Sequence, residues 1–482
     1  MLLSFRKTLV SIVVLFSIFS FHANSAKAAL TFVGTAEGSG TSAAFNVSLT
    51  SLTGGSDSAA AAGDLVIVAE GWGGTANGNP GVGTAGYAEV ADLYGNDTRD
   101  ANFSVSWKIM SSTPDTTVSC NGSGTAGNGT ACVVHVWRGA DQTTTIDVTT
   151  TSTTGTNAAT INSPSITPST SGAYVLSLGL GTAAASAGDT SITAPTGYGN
   201  QADINGNGTS VSCEVGIASK AWTSGAEDPA AWTNITTSTS YSWGAATVAI
   251  RPAFAPTVTT QDESSVTQTT ATANGNITAT GGISPTVRGF AWGTNSALSG
   301  GDTATTTENG TFSTGAFTGS LTSLTCNTTY YTRPYATNSI GTGLGTIDSF
   351  TTSSCVSAPT VTTDYSSYQA SAATLVGTVT ATGGENATQS GFAYGTNSTL
   401  STVIATTTLG SVSGAVPFSG SVGGLSESTT YYYRAYATNS GGTGYGSILS
   451  FVTGNSTPSR RIRLLEGFSI KFFDGRIVLY GN

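Results

Sequence analysis

A unit of about 100 residues occurs twice in the C-terminal half of the chain, and this repeat limits the possible folds more than any other feature. APTVTT begins at Ala255 and again at Ala358, GFAWGTNS at Gly289 returns as GFAYGTNS at Gly391, and YATNS begins at Tyr335 and Tyr436. Solenoid units are much shorter, roughly 20–50 residues. The period therefore indicates whole domains in tandem.

The composition favours strands over helices. Only 9% of the 482 residues are charged, whereas glycine alone contributes 62. Low charge with frequent Gly and Thr suits short strands and turns, and no long segment repeats apolar residues at helical spacing. A chain of this length holds about three domains. We therefore expect an all-β protein with an N-terminal β sandwich, two smaller sandwiches and a terminal hairpin.

The first 28 residues have the three parts of a secretory signal peptide. Arg6 and Lys7 form the charged start, residues 9–21 are apolar, and residues 26–28 are a small-x-small cleavage site. The apolar stretch is short for a membrane span, although an uncleaved N-terminal anchor is the alternative. No later segment has about 18 consecutive apolar residues. We expect an exported, extracellular or cell-surface chain without a transmembrane segment in its mature form.

The charge balance disfavours some classes of partner. Removing Arg6, Lys7 and Lys27 with the signal leaves 13 basic residues against 26 acidic ones, a net charge of −13. An acidic, weakly charged surface is unsuited to nucleic acid. It is equally unsuited to electrostatic attachment to anionic lipid.

Residues 29–253 form a Thr- and Gly-rich region in which the sequence shows no clear internal repeat. Apolar runs such as 65–69 and 133–137 alternate with Gly, Asn, Asp or Pro, as strands joined by turns do. This pattern predicts one β sandwich of the jelly-roll kind. Residues 252–256, bounded by two prolines, are expected to form a short hinge to the repeats.

The two copies, residues 254–353 and 354–453, each read as about seven short strands. Both place a leucine six residues before a tyrosine: Leu324 and Tyr330, then Leu425 and Tyr431. This pattern resembles the fibronectin type III domain, in which the leucine closes a corner and the tyrosine hydrogen-bonds back across it. The resemblance implies two sandwiches that each contain this corner contact.

The copies also depart from that family. The usual tryptophan on the second strand is missing, and Trp292 and Tyr394 lie on the third strand instead. Pro334 falls inside the sixth strand of the first copy, where it removes a ladder donor. We expect a bulge or a sheet-edge position at Pro334.

Residues 454–482 differ from the rest of the chain. A polar linker precedes an apolar, basic segment in which Asp474-Gly475 marks a hairpin turn. Five of the mature basic residues lie here: Arg460, Arg461, Arg463, Lys471 and Arg476. An isolated two-stranded unit is marginal in water. We expect it to dock on the second copy, on another copy of the chain, or on envelope sorting machinery.

Five cysteines in an exported chain predict disulfides. Cys120 and Cys132 flank a Gly- and Asn-rich loop, while Cys326 and Cys355 are present only in the first copy. We expect these two pairs, with Cys213 left over. Other pairings of five cysteines stay open at this point.

One segment has the spacing of calcium ligands. Positions 1, 3, 5, 7 and 12 of a calcium loop supply oxygen, and position 6 is glycine. The matching residues, with Gly208 at position 6, are Asp203, Asn205, Asn207, Thr209 and Glu214. The alternative is a β turn leading into the next strand, because a chain rich in Asn and Gly produces such matches by chance. Calcium is the one cofactor that the sequence suggests.

The sixth strand of each copy carries an aromatic and guanidinium stripe on alternate residues. The stripes are Tyr331, Arg333 and Tyr335, then Tyr432, Arg434 and Tyr436. Such residues stack on sugar rings or partner side chains, or pack on neighbouring strands, which is the more common outcome. Trp72, Trp222 and Trp232, if exposed in loops, would also suit carbohydrate, although buried tryptophan is more usual in sandwiches.

Catalytic chemistry has little support in the sequence. The mature chain has one histidine, His135, inside an apolar strand, which is typical of a core residue. No phosphate-binding glycine motif follows a strand and opens a helix. A glycosidase needs only two acids in a cleft and stays as a third possibility.

Taken together, these patterns predict an exported, non-catalytic bacterial surface protein for structure or adhesion. The N-terminal domain would contact a surface glycan or protein, the copies would act as spacers, and the tail would retain the chain. The alternative is a secreted carbohydrate-binding protein, an accessory to or a member of the polysaccharide-degrading enzymes.

Overall fold

The computed structural model describes residues 29–481 apart from short gaps. The gaps are 42, 75, 79, 98, 123–124, 157–159, 185–191, 234–241, 300–302, 456–467 and 474–475. The predicted signal peptide lies outside the described residues. The described part is all-β, as predicted, and contains no helix that could cross a membrane.

The N-terminal domain contains strands β1–β12. They are β1 Thr31–Thr41, β2 Phe45–Ser48, β3 Leu65–Gly74, β4 Ala88–Gly95, β5 Asp100–Ile109, β6 Thr117–Cys120, β7 Gly129–Arg138, β8 Thr151–Thr156, β9 Tyr174–Ala184, β10 Gly199–Gly206, β11 Val211–Ala221 and β12 Ser242–Ile250. Two five-stranded antiparallel sheets form, in the orders β1-β7-β3-β5-β4 and β10-β11-β9-β12-β8. The short strands β2 and β6 pair separately.

The two large sheets pack face to face. Alternate residues of β3, such as Leu65 and Ile67, meet Leu176 and Leu178 of β9 in a fully buried core. The opposite face of β3 and β7 is also buried, under the β2–β6 pair and the chain around Leu49. Because both faces of these central strands are covered, they are apolar at nearly every position. Each large apolar side chain buried here contributes roughly 1.5–3 kcal/mol.

The two sheets are built on the same plan. Across the first sheet the order is β1-β7-β3-β5-β4, and across the second, taken from its other edge, it is β8-β12-β9-β11-β10. In chain order, β1, β3, β4, β5 and β7 therefore correspond to β8, β9, β10, β11 and β12. The sequences match accordingly: GYAEVADLYGN from Gly86 corresponds to GYGNQADINGN from Gly197, and ACVVHVWRGA from Ala131 to GAATVAIRPA from Gly244. Gly86 and Gly197 share a left-handed φ, at +88° and +86°. The domain is therefore an internal duplication, which the sequence analysis missed.

Matching polar contacts support the duplication. Each half has a lysine that pairs with a carboxylate seven residues later and lies over a tyrosine ring. The residues are Tyr87, Lys108 and Asp115 in the first half, and Tyr198, Lys220 and Glu227 in the second. The lysine to carboxylate distances are 2.7 and 2.8 Å, and the lysines lie 5.4 and 5.7 Å from the ring centroids. In both halves, these contacts join the end of a strand, β5 or β11, to the loop that follows it.

Two expectations for this domain need correction. The jelly-roll strand order is absent because each half of the chain completes its own sheet. The segment from Pro252 to Pro256 is not a free hinge: Ala253 N–H donates to Gly139 O, and Phe254 N–H donates to Gly281 O of the first copy. Accordingly one compact unit contains the N-terminal domain and nearly all of the first copy, and the chain from Ser353 onward belongs to a second.

The two copies have identical sheet plans. In the first copy the strands are β13 Thr257–Ser264, β14 Ala271–Ala279, β15 Val287–Gly293, β16 Ala304–Asn309, β17 Gly315–Leu321, β18 Thr329–Thr337, β19 Thr342–Leu344 and β20 Asp348–Thr351. In the second they are β21 Thr360–Tyr368, β22 Ala372–Ala381, β23 Ala387–Gly395, β24 Ala405–Val412, β25 Pro417–Gly423, β26 Thr430–Asn439, β27 Gly442–Tyr445 and β28 Leu449–Val452. In the first copy, the sheet β13-β14-β17 faces the sheet β16-β15-β18-β19, and β20 also pairs with β18. In the second copy, the sheet β21-β22-β25 faces the sheet β24-β23-β26-β27, and β28 also pairs with β26.

The corner contact implied by the resemblance is present in the second copy. Ser426 N–H donates to the hydroxyl of Tyr431 at 3.0 Å, across the turn that precedes β26. The Tyr431 ring is buried and stacks on Phe451 at 5.9 Å. In the first copy, Tyr330 occupies the same position and stacks on Phe350 at 5.8 Å. Tyr431 thus fastens its turn to the core of the second sandwich.

Pro334 lies on an inner strand and not at a bulge or at the outermost edge. It falls where the neighbouring strand is interrupted between β19 and β20, so no ladder donor is required there. The second copy has Ala435 at this position, and its N–H donates to Thr363 Oγ1 at 3.0 Å. Proline removes the donor that a side chain must otherwise satisfy.

Two disulfides form as predicted, Cys120–Cys132 and Cys326–Cys355, and Cys213 is a buried free thiol. In the tail, β29 Phe468–Phe473 pairs antiparallel with β30 Arg476–Gly481. The predicted hairpin is therefore present, while its turn at residues 474–475 and the basic residues 460–463 lie outside the described residues.

Candidate functional site

The predicted tyrosine–arginine stripes lie on the outer faces of β18 and β26. Tyr335 and Tyr436 are buried, and their hydroxyls donate to Thr306 O at 3.2 Å and Thr407 O at 3.1 Å. Each tyrosine crosses a glycine on the adjacent strand, since a Cβ at Gly289 would come within 2.8 Å of the Tyr335 hydroxyl. These tyrosines therefore pack on their own sheets.

The arginines of the stripes are engaged in the same way. Arg333 Nε donates to Gly345 O at 3.0 Å, and partial burial lowers the pKa of Arg333. The Arg434 guanidinium lies 4.0 Å from the ring centroid of Tyr445. Tyr331 and Tyr432, on the same faces, are half-buried. The structure thus favours the packing interpretation of these stripes over a ligand-stacking one.

The residues with calcium spacing do not form a wrapped loop. Asp203 and Asn205 lie on the extended strand β10, Asn207 and Thr209 follow in the turn, and Glu214 lies on β11. Asn205 is opposite Glu214 in the ladder, so these two share a face. The segment corresponds to the turn-and-strand alternative in its backbone conformation.

Glu214 has an evident structural partner. Its Oε1 accepts the Ile192 N–H at 2.7 Å, which fastens the β9–β10 loop to the sheet. In the duplicated half, Asn102 occupies the same position on β5, and its Oδ1 accepts the Gly78 N–H at 2.7 Å. In both halves, a buried side-chain oxygen at this position, from Glu214 or Asn102, anchors a long loop to the sheet.

The one histidine and the one free cysteine of the described residues are buried in the core. His135 is fully buried, and burial lowers its pKa to about 3. The Cys213 thiol is also fully buried, with a pKa that burial raises to about 12, and its Sγ donates to Gly129 O at 3.2 Å. Neither can exchange protons with a substrate while the fold is closed.

The loop tryptophans are equally poor sugar platforms. Trp72 and Trp232 are buried, and Trp232 Nε1 donates to Ser177 Oγ at 2.9 Å. Trp222 is half-buried and donates to Gly225 O at 2.9 Å. The exposed aromatic rings that the sequence analysis overlooked lie elsewhere.

Three tyrosines of the second copy expose their rings. Relative exposures are 92% for Tyr365, 51% for Tyr368 and 52% for Tyr445. The first copy has Asp262, Ser265 and Leu344 at the matching positions. Position-by-position comparison of the copies would have found these residues, because only the second copy replaces polar or aliphatic residues with aromatic ones.

Two asparagines hold the segments that enter the copies. The Asn338 amide nitrogen lies 2.8–3.1 Å from three carbonyl oxygens, those of residues 254, 280 and 283. Asn439 repeats this on the carbonyls of residues 357, 382 and 385, at 2.8–3.3 Å. We call Asn338 and Asn439 the junction asparagines. Both are buried, so each fixes the strand-entry segment to its own sandwich.

One buried acid stands out in the first half of the N-terminal domain. Glu70 on β3 is fully buried, and neither of its carboxyl oxygens has a hydrogen-bond partner among the described residues. Burial raises its pKa to about 9, while the nearby N–H groups of Gly81 and Asn121 lower it by a smaller amount. Its carboxyl lies beside the Cys120–Cys132 disulfide.

No protein-family model matches the chain, and no curated protein matches it.

Proposed function

We propose that the chain is an exported, non-catalytic bacterial protein of the cell surface or extracellular space, with a structural or adhesive role. It consists of a duplicated N-terminal sandwich, two fibronectin type III-like spacers and a C-terminal retention hairpin. Tandem sandwiches with fixed entry segments can hold a binding surface away from a cell.

The junction asparagines carry this proposal. The side-chain amide nitrogen of each one lies 2.8–3.3 Å from three backbone carbonyl oxygens at the point where the chain enters a copy. Its two N–H groups contribute about 1 kcal/mol each, which stiffens the entry segment. Two disulfides and the low charge content agree with an oxidising compartment.

Deleting residues 460–482 tests the retention role of the tail. We expect full-length protein on the cell surface and tail-deleted protein in the medium, because the hairpin would no longer engage its partner. Quantitative immunoblotting of surface, medium and cell-interior fractions measures this. Unchanged surface retention of the deleted chain contradicts the role of the tail, and cytoplasmic full-length protein contradicts the whole proposal.

The alternative, a secreted carbohydrate-binding protein, is favoured by one observation. The Tyr365 ring is 92% exposed and is of the kind that stacks on sugars. Tyr368 and Tyr445 are half-exposed, each with one ring face packed, on Phe451 and on the Arg434 guanidinium. On this alternative the mature full-length chain binds glycans on an array, and Tyr365→Ala weakens binding at least about tenfold through loss of a stacking partner. Asp262→Ala, at the matching position of the first copy, is the control. Glycan binding unaffected by Tyr365→Ala would exclude this surface, and no binding at all would remove the alternative.

A further inference from the structure

Three potential metal ligands converge beneath the β2–β6 pair. They are a carboxyl oxygen of Glu70 and the sulfur atoms of Cys120 and Cys132, all within 4.8 Å of one another. Glu70 on β3 is directly opposite Cys132 on β7, and Cys120 ends β6 above them. All three residues are fully buried. Secondary structure on three sides therefore fixes the positions of these atoms.

An acid at this position is not required by the fold. The duplicated half has Gly179 opposite Ala245 in the matching ladder positions. There the space is filled by Ile161 and Trp232, which lie 3.2 and 3.4 Å from the point that a Cβ at Gly179 would occupy. The first half thus replaces an apolar filling with an acid and two sulfur atoms together. A buried carboxyl costs stability even when it is protonated, and the second half of the domain contains no equivalent of it.

We propose that reduction of the Cys120–Cys132 disulfide converts this cluster into a binding site for a thiophilic divalent cation, with Zn²⁺ the best match. Two thiolates and one carboxylate oxygen are a ligand set that zinc accepts, and three protein ligands leave its fourth position for water. Ligands about 2.0–2.3 Å from zinc stand roughly 3.3–3.8 Å apart. The three ligand atoms already lie within 4.8 Å of one another. The two sulfur atoms are bonded to each other in the disulfide, so after reduction they must separate to about 3.7 Å to bind one zinc ion.

The chemistry balances with a thiol or phosphine as the reductant. Two electrons and two protons enter the disulfide, the S–S bond breaks, and two thiols form while the reductant is oxidised. Metal binding then releases the thiol protons and the Glu70 proton to solvent. The disulfide and the metal exclude each other because both use the same two sulfur atoms. The cluster would act as a redox-dependent metal site.

Cobalt titration of the mature full-length chain tests the proposal. A Cys326→Ser, Cys355→Ser background leaves one disulfide, and a phosphine reductant avoids competition from added thiols. We expect the reduced protein to bind one equivalent of Co²⁺ with a thiolate-to-cobalt charge-transfer band, and Zn²⁺ to displace it. The oxidised protein should show no such band. Cys213→Ala, which removes the remaining thiol, should behave as the parent.

Variants of the three ligands decide the outcome. Glu70→Gln should weaken Co²⁺ binding by at least about tenfold, and Cys120→Ala with Cys132→Ala should abolish it while near-ultraviolet circular dichroism reports the fold. The proposal is overturned if the reduced parent binds no metal, including because it unfolds. It is also overturned if Glu70→Gln binds as tightly as the parent, since the two thiols alone would then account for binding.

Discussion

Glu70→Gln is expected to stabilise the oxidised N-terminal domain by roughly 5 kcal/mol at pH 8, the largest effect that the structure predicts. Burial raises the pKa of Glu70 from its ordinary value of 4.5 to about 9. Between these values the folded state holds a proton that the unfolded state releases. Stability from this group is therefore complete below pH 4.5 and falls by about 1.4 kcal/mol per pH unit as pH rises towards 9.

Glutamine keeps the shape of the side chain and cannot ionise, so it removes that pH dependence. Calorimetry of the full-length oxidised chain should show the N-terminal transition shifted upward by about 10 °C at pH 8, at roughly 2–4 °C per kcal/mol. The shift should shrink to near zero at pH 4.5. Glu427→Gln, at an exposed position in the second copy and outside the N-terminal domain, serves as the control and should leave the N-terminal transition unchanged. An equal gain for Glu70→Gln at both pH values would contradict the assignment of a raised pKa.

Asn439→Ala is expected to destabilise the second copy by about 3 kcal/mol. The change removes an amide whose nitrogen contacts the carbonyl oxygens of residues 357, 382 and 385 and whose Oδ1 accepts the Gly441 N–H. Asn439→Asp should be worse, because a carboxylate would face three carbonyl oxygens. Calorimetric unfolding of the full chain measures both changes.

Two further variants serve as comparisons for the destabilisation by Asn439→Ala. Asn338→Ala should cost the first copy a similar amount, because Asn338 makes the same three contacts. Asn386→Ala, which removes an exposed amide, should cost well below 1 kcal/mol. If Asn439→Ala and Asn386→Ala have equal effects, the junction asparagines do not stiffen the entry segments.

Sequence and structure agree best where the chain repeats itself plainly. The tandem copies share whole phrases such as YATNS, so their strands, their corner tyrosine at Tyr431 and the disulfide present only in the first copy could be predicted. The duplication of the N-terminal domain was missed because its halves share few identities, mainly around Gly86-Tyr87 and Gly197-Tyr198. The two halves keep the same strand order although most of their side chains differ.

Candidate sites were harder to predict, for a physical reason. The oxygen spacing from Asp203 to Glu214 matches a calcium loop, but the ladder with β11 makes the first half of it extended. The spacing of oxygen-bearing residues along the chain does not show whether the backbone forms a calcium loop or pairs with a neighbouring strand. Likewise Glu70 looks like an ordinary acid in a strand. Only the covering of both faces of β3 buries this carboxyl.

The most direct test of the central claim is the state of the native protein in its own cells. Intact-mass measurement combined with protease treatment of whole cells reports both processing and exposure. We expect a mature chain that begins at Ala29, contains two disulfides and is cleaved by protease added to whole cells. A chain that retains residues 1–28 and stays protected inside the cell would contradict it.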